Sequence, residues 1–157
     1  MADWLFKEIP VYKVYLGWLA FLLLLIVIGS IVSPSPHDIS KAKARIIIAR
    51  LNETDIATAL KAYSNTYGVL PVGDSESVER ILVGEDFHGQ NTHNMPFLIF
   101  TQTAEHPNEM VDPWGTPYKI EFLPQTNFVI RSAGKDKIFG DADDIIFNSI
   151  SNDFVKP

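Results

Sequence analysis

The sequence has no cysteine among its 157 residues, and its acidic residues outnumber its basic ones. The lack of cysteine excludes a disulfide scaffold, a thiolate metal site, an iron–sulfur cluster and a cysteine nucleophile. Thirteen Lys and Arg against nineteen Asp and Glu give a formal net charge of −6. Proteins that bind nucleic acid usually carry the opposite sign, so we predict no nucleic-acid partner.

Signals of an enzyme are also scarce, because the sequence has neither a G-x-S-x-G motif nor a phosphate-binding glycine loop. One alternative is a metal-hydrolase cluster built from His88, His93, His106, Glu85, Asp86 and Glu105. His88 and His93 are five positions apart in a predicted loop, whereas the H-E-x-x-H motif places its histidines four apart on a helix. We therefore interpret the histidines as surface residues and predict a non-catalytic protein.

A long apolar run lies near the start of the chain. Residues 15–32 include no charged side chain, and the pattern extends back to Val11. About 20 helical residues span the hydrocarbon core of a bilayer, and the apolar core of a signal peptide is shorter. We predict a short flank at residues 1–10 and a transmembrane helix at 11–32, with the lipid bilayer as a partner. Lys41, Lys43, Arg45 and Arg50 come after the run, and the positive-inside bias alone would place the C-terminal part of the chain in the cytoplasm.

Prolines at 34 and 36 predict a break at residues 33–37, and a second helix is expected to begin near Asp38 or Ser40 as its cap. Its apolar stripe consists of Ile39, Ala42, Ile46, Ala49, Ile56, Leu60, Tyr63 and Tyr67, interrupted by Glu53. Gly68 is a natural stop for this helix. We expect its first half to project as a stalk and its second half to pack on a sheet.

The rest of the predicted globular unit, which with the stalk helix covers residues 38–157, shows one short helical pattern and three strand signals. Residues 75–83 are expected to form a helix capped by Ser75. Residues 118–123, 128–132 and 144–147 are predicted to be strands joined by short loops, which favours an antiparallel meander. The predicted fold class is α+β, with a long helix packed on a small antiparallel sheet of about three strands.

An acidic loop separates the last two of these strands. Asp136, Asp141, Asp143 and Asp144 fall within nine residues. Carboxylates this close repel one another unless a cation joins them, and Ca²⁺ accepts six to eight oxygen ligands in flexible geometry. The alternative is a solvated acidic loop whose charge is partly balanced by the lysines at 135 and 137.

Three segments, in this order, resemble the major pseudopilins of type II secretion systems, which belong to the type IV pilin-like superfamily. Residues 43–71 resemble the first helix of that family, and Val111–Tyr118 resembles its D-P-W-G-x-P-Y entry to the first strand. Ser132-x-Gly134-x-Asp136 followed by Asp143-Asp144-Ile145 resembles its calcium loop. The resemblance implies a pilin-like fold and a structural subunit of a secretion or pilus-like apparatus. Its expected partners are other pseudopilin or apparatus subunits, including further copies of itself.

By the same resemblance, the Ca²⁺ ligands are the side chains of Asp136, Asp143 and Asp144 and the carbonyls of Ala133 and Ile138. Asp141 has no certain counterpart, so it stays open as a ligand or an exposed neighbour. The cation is expected to fix the loop that closes the sheet and to stabilise contacts between subunits. The family also places its globular part outside the bacterial cytoplasmic membrane, and we adopt that single-pass orientation over the one favoured by the basic residues.

The N-terminal segment departs from the family pattern. Pseudopilins have a G-F-x-x-x-E processing site, whereas here Gly17 and Trp18 are followed by Leu22 at the glutamate position. The family's first helix also lacks the break expected at Pro34 and Pro36. These departures support an alternative in which the chain is a stand-alone, membrane-tethered binding module that is neither cleaved nor polymerised.

Overall fold

In a computed structural model of the chain, the structure describes residues 11–32, 35–100, 106 and 109–155. Its helices are α1 (Val11–Val32), α2 (Pro36–Tyr67) and α3 (Ser75–Leu82), and a 3₁₀ turn covers Phe87–Gly89. Its strands are β1 (Lys119–Leu123), β2 (Asn127–Ser132), β3 (Ile145–Asn148) and β4 (Asp153–Val155). The predicted flank at 1–10 and residues 33 and 34 of the predicted break lie outside the described residues. The chain divides into two compact units, 1–40 and 41–157.

Helix α1 in the first unit has 22 residues and covers the predicted apolar run. Its described side chains, from Tyr15 to Ile26, are all exposed. Trp18 and Phe21 pack edge to face, with ring centroids 6.4 Å apart. Among the described residues, no helix is both long enough and apolar enough to cross a membrane.

The start of α2 corrects the predicted cap at Asp38 or Ser40. The helix begins at Pro36, and the Ser35 hydroxyl accepts a hydrogen bond from the Asp38 backbone N–H at 3.2 Å. The same hydroxyl donates to the Asp38 carboxylate at 2.6 Å. Proline suits the first position of a helix, where its missing N–H has no intrahelical acceptor. Pro36 therefore starts this helix instead of interrupting the chain.

The second half of α2 is buried in the second unit, as the sequence predicts. Ala49, Ile56 and Leu60 are fully buried, whereas Ile46 is 40% exposed. The predicted stop is confirmed at Gly68, which has φ +77° and donates its N–H to the Ser64 carbonyl at 2.8 Å.

The cap of α3 is Asp74, so the prediction of Ser75 is wrong by one residue. Asp74 Oδ1 accepts from the Ser77 backbone N–H at 2.9 Å. The Ser75 hydroxyl instead accepts from the Ile120 N–H, also at 2.9 Å. A side chain that ties α3 to β1 is no longer available to satisfy the helix terminus, and the preceding aspartate does so.

The sheet has four strands in the order β1-β2-β3-β4, and every pair is antiparallel. One row of paired residues crosses the whole sheet: Ile120, Ile130, Phe147 and Phe154. The prediction of about three strands is therefore corrected to four. β4 has only three residues, so its sequence is too short to show the alternating pattern of a strand. A contact from outside the sheet also holds it: the Arg50 guanidinium lies 5.1 Å from the centroid of the Phe154 ring.

One hydrophobic core joins the two helices of the second unit to the sheet. Its largest fully buried apolar members are Ile56, Leu60, Tyr63, Val78, Ile81, Leu82, Tyr118, Phe128 and Ile130. The Tyr118 hydroxyl donates to the Ala49 carbonyl at 3.4 Å, which links the entry of the sheet directly to α2. The predicted packing of the long helix on an antiparallel sheet is thus observed.

Candidate metal centre

The acidic loop leaves the sheet at the end of β2 and returns at the start of β3, covering residues 133–144. It turns at Gly134, which has φ +66°. A Cβ atom at this position would lie 2.7 Å from Asp143 Oδ2, so only glycine allows the two ends of the loop to approach this closely. The glycine thus brings the carboxylate of Asp143 against the backbone that begins the loop.

Three carboxylates meet in this loop. Asp136, Asp141 and Asp143 each place one oxygen so that the three atoms lie within 4.8 Å of one another. Asp143 Oδ2 accepts from the Lys135 N–H at 2.7 Å and from the Asp136 N–H at 3.3 Å. Asp136 Oδ1 accepts from the Ile138 N–H at 2.8 Å. Backbone donors therefore fix the carboxylates near one another while each keeps a side open to solvent.

The crowding changes the pKa values of two of these carboxyl groups, Asp141 and Asp143. Hydrogen bonding with Asp143, and then with Asp136, raises the pKa of Asp141 to about 6. The pKa of Asp143 is lowered, first by its hydrogen bond with Asp141 and also by the N–H groups of Lys135 and Asp136. At neutral pH the cluster therefore concentrates negative charge, which a divalent cation would neutralise.

Asp144, another predicted ligand, lies on the inner side of the loop and is 6% exposed. Its Oδ2 accepts from the Gly140 N–H at 2.8 Å, whereas its Oδ1 is buried and has no hydrogen-bond partner. Two residues were predicted to bind the metal through their backbone carbonyls. Ala133 is fully buried, and Ile138 is 63% exposed. The structure therefore brings Asp136, Asp141 and Asp143 together, whereas Asp144, a predicted ligand, is buried and is not part of that group.

The turn that resembles the D-P-W-G motif is hydrogen-bonded to the start of the loop. Asp112 Oδ1 accepts from the N–H groups of Trp114 and Thr116, both at 2.9 Å. Asp112 Oδ2 accepts from the Ser132 hydroxyl at 2.6 Å, and that hydroxyl in turn accepts from the Gly134 N–H at 3.2 Å. One buried carboxylate thus closes its own turn and holds the first residues of the acidic loop.

Glu53 is a member of this arrangement that sequence reasoning missed. It is fully buried on α2, and its Oε1 accepts from the Ser132 backbone N–H at 3.0 Å. Burial raises the pKa of Glu53 to about 9, against the lowering effect of the Ser132 bond. Glu53 falls on the same side of α2 as the apolar stripe, and that side faces the domain. A glutamate at this position must be buried, and the sequence contained this signal.

The histidines do not form the alternative metal-hydrolase cluster within the described ranges. The one group of three or more potential metal ligands in this part of the chain is the aspartate cluster of the loop. His93 lies 3.4 Å from the Tyr67 hydroxyl, and His106 lies 3.0 Å from the Glu109 carboxylate. His88 is an exposed residue of the 3₁₀ turn, with φ +56°. Glu105, the last member of that alternative, lies outside the described residues.

No protein-family model matches the sequence, and no curated protein matches it either. Among solved structures, the chain is similar to one described as the crystal structure of the major pseudopilin from the type 2 secretion system of enterohaemorrhagic Escherichia coli. The two chains are 18% identical, with a TM-score of 0.47. The matched region covers 73% of this chain and 95% of the other.

Proposed function

We propose that this chain is a membrane-anchored, non-catalytic, pseudopilin-like structural subunit of a type II secretion or pilus-like apparatus, with a loop stabilised by Ca²⁺. The motifs that resemble the family support this proposal, since they lie where a long helix, an antiparallel sheet and a loop of clustered carboxylates meet. A structural subunit acts through surfaces that bind other subunits. The decisive feature is therefore a surface suited to assembly.

The exposed side of α2 is such a surface, and it is the observation that carries the proposal. Ile47, Ile48 and Leu51 are 59%, 47% and 59% exposed, and we name them the outer stripe. Leu51 is four positions after Ile47 and three after Ile48, so it neighbours both of them on the surface of the helix. Ala49 and Glu53 on the same helix are fully buried against the domain. Contiguous exposed apolar residues of this kind mark interaction sites, so we assign the outer stripe to contacts with neighbouring subunits.

The donor set of the loop fits a calcium ion. Asp136, Asp143 and Asp144, with the carbonyls of Ala133 and Ile138, would hold it. Two observations support this fit: the buried Asp144 Oδ1 has no partner, and only a glycine at 134 lets Asp143 reach the start of the loop. When bound, Ca²⁺ supplies the positive charge that the clustered carboxylates need. Asp141 lies within the group of three carboxylates, which supports it as a further ligand.

For the anchor we propose the segment that the sequence predicts, residues 11–32. Residues 15–32 carry no charge in the sequence, and such a run matches the thickness of a bilayer. We further propose that the unit at 41–157 lies outside the bacterial cytoplasmic membrane, where millimolar Ca²⁺ could fill the loop. Digestion of this unit by protease added to spheroplasts supports that orientation, and protection until the membrane is lysed contradicts it.

Cysteine cross-linking tests the outer stripe directly, because the chain has no cysteine of its own. Leu51→Cys is expected to give disulfide-linked dimers when membranes that contain the assembled protein are treated with a mild oxidant. The matched control is Asn65→Cys, which is exposed on the same helix about 21 Å further along its axis. Dimers from Leu51→Cys alone support the proposed contact. Equal yields from both variants would show non-specific collision, and no dimer from either would show that the stripe does not mediate self-assembly.

The alternative of a stand-alone tethered binding module is favoured by Leu22, which occupies the family's glutamate position. The intact mass of the protein extracted from membranes separates the two candidates. Loss of an N-terminal leader supports the assembling subunit, because processing precedes polymerisation in the family that the motifs resemble. A full-length mass supports the tether.

A further inference from the structure

One buried serine lies where the sheet ends and the acidic loop begins. Ser132 is the last residue of β2 and is fully buried. Its N–H donates to Glu53 Oε1 on α2 at 3.0 Å, and its hydroxyl donates to Asp112 Oδ2 at 2.6 Å. The same hydroxyl accepts from the Gly134 N–H at 3.2 Å. A single residue therefore joins the long helix, the turn at residues 112–116 and the first peptide groups of the loop.

The orientation of the Ser132 hydroxyl is fixed by its two partners. A hydroxyl group has one proton to donate, and here Asp112 accepts it, so the lone pairs are left for the Gly134 N–H. Asp112 is itself held, because its Oδ1 accepts from the N–H groups of Trp114 and Thr116, both at 2.9 Å. Loss of the hydroxyl would leave a buried carboxylate oxygen and a buried N–H without these partners, which is costly inside a protein.

These bonds determine where the proposed ligands at the start of the loop lie. Ala133, whose carbonyl is one of them, is the residue between Ser132 and Gly134, which the hydroxyl ties together. At Gly134 the backbone lies so close that an added Cβ atom would be 2.7 Å from Asp143 Oδ2. The Lys135 N–H donates to that same oxygen at 2.7 Å. A displacement of Ser132 would therefore move the Ala133 carbonyl relative to the Asp143 carboxylate.

The other end of this connection is the part of α2 that carries the outer stripe. Leu51 is 59% exposed, whereas Glu53, two positions later, is fully buried. Two helical positions differ by roughly 200° about the axis, so these side chains lie on opposite sides of α2. One turn before Glu53, the Ala49 carbonyl accepts from the Tyr118 hydroxyl at 3.4 Å. The bond from Ser132 thus holds this section of α2 against the domain while its opposite side stays exposed.

We propose that Ser132 is the positioning residue of the calcium loop and that its bonds couple the loop to α2, so that ion binding and docking of this helix stabilise each other. The inference rests on the proposed calcium loop. It adds two residues, Ser132 and Glu53, that act on the ion only through the backbone of the loop. Such coupling is reciprocal: the docked helix strengthens ion binding by the same factor as the ion strengthens docking. A filled loop therefore holds more firmly the section of α2 that presents the outer stripe.

Calcium affinity tests the effect of these residues on the loop. The full-length protein in detergent is stripped with a chelator and titrated with Ca²⁺ in a calorimeter. Ser132→Ala is expected to weaken binding about tenfold, roughly the net contribution of one intramolecular hydrogen bond. Glu53→Leu removes the acceptor of the Ser132 N–H and should weaken binding to a similar extent. Glu53→Gln keeps an acceptor at this position and should bind Ca²⁺ like the unmodified protein.

Glu79→Leu is the matched control for a general loosening of the fold. Glu79 is a second buried glutamate, and its Oε2 accepts from the Met110 N–H. It lies on α3, and the residue that donates to it is not part of the loop. This variant therefore loses a buried carboxyl group of the same kind and should keep the Ca²⁺ affinity of the unmodified protein.

Hydrogen exchange tests the effect of the ion on α2. Saturating Ca²⁺ is expected to slow exchange of the backbone amides at residues 50–57 about tenfold in the unmodified protein, and to do the same in Glu79→Leu. In Ser132→Ala and Glu53→Leu, each saturated with Ca²⁺, the slowing should be largely lost although the ion is bound. A role confined to the stability of the fold would not remove this response to Ca²⁺.

The outcomes separate this inference from the proposed function. Equal Ca²⁺ affinity in the unmodified protein, Ser132→Ala and Glu53→Leu overturns the inference and leaves the calcium loop intact. Equal weakening in Glu79→Leu also overturns it, because the effect would then be general. If a variant does not fold, the unmodified protein decides: Ca²⁺ that binds without slowing exchange in α2 contradicts the coupling. Failure of the unmodified protein to bind any Ca²⁺ contradicts the calcium loop itself.

Discussion

Exchange of Asp143 for asparagine is expected to abolish most of the stabilisation of the folded chain by Ca²⁺. An ion that binds only the folded state raises stability in proportion to ln(1 + [L]/Kd). At a Ca²⁺ concentration 100-fold above Kd, the melting temperature of the unmodified protein should rise by roughly 10 °C. The amide oxygen of Asp143→Asn can still accept the hydrogen bonds from Lys135 and Asp136, so the variant removes charge and keeps the loop's main contacts. Thermal unfolding with Ca²⁺ and with chelator measures the difference.

Asp153→Asn is the matched control for this experiment. Asp153 is an exposed aspartate on β4, outside the loop, and its Oδ1 accepts from the Phe154 N–H at 2.7 Å. This variant should show the same rise with Ca²⁺ as the unmodified protein. A rise that survives in Asp143→Asn would remove this residue from the ligand set. If the chelator-stripped, unmodified protein gains no stability from millimolar Ca²⁺, the proposed loop site does not exist.

The second large effect is a loss of stability as the pH rises, caused by Glu53 and Glu79. Burial raises their pKa values from 4.5 to about 9 and about 8, respectively. Between pH 4.5 and these values, the folded state binds more protons than the unfolded state, so the free energy of unfolding falls as the pH rises. Each group contributes at most about 1.4 kcal/mol per pH unit. The favourable contribution of each group is complete below its unfolded pKa and is lost by the time the pH exceeds its folded pKa.

Glutamine at either position should flatten this pH dependence, because a neutral side chain has no proton to lose. In chelator at about pH 8, we expect Glu53→Gln and Glu79→Gln each to raise the free energy of unfolding by on the order of 2 kcal/mol. Denaturant unfolding from about pH 5 to about pH 9 measures the effect. Glu121→Gln is a control of opposite sign, because the Lys119 and Arg131 side chains lower the pKa of Glu121. An unchanged pH slope in Glu79→Gln would show that this carboxyl group is solvated in the folded protein.

The sequence was sufficient for the elements with strong local signals. The stripe from Ala49 to Tyr63 repeats at helical spacing, and the structure buries these residues against the sheet. Gly68 ends that helix as predicted, because it supplies the positive φ that a C-terminal stop requires. The clustering of aspartates in the loop was also evident, since residues close in sequence cannot lie far apart.

Features that depend on distant contacts could not be predicted from the sequence. β4 exists because Phe154 pairs with Phe147 and packs under Arg50, 104 positions earlier in the chain. Glu53 interrupted an apolar pattern, and only its bond to Ser132, 79 positions away, explains its burial. Serine is a common helix cap, but the Ser75 hydroxyl instead accepts a hydrogen bond from the N–H of Ile120, 45 positions away. In each case a tertiary contact replaced the local preference.

The meander also has a consequence for the order of folding. Each strand pairs with its neighbours in the chain, so the sheet can form by closing short loops. The Glu53–Ser132 bond instead requires two segments 79 positions apart to meet. The chain loses the entropy of closing that loop before the contact can stabilise it. The hairpins therefore tend to form before α2 docks on them. Until that helix arrives, the nascent sheet exposes its apolar face, and this interval is when the chain is most vulnerable to aggregation.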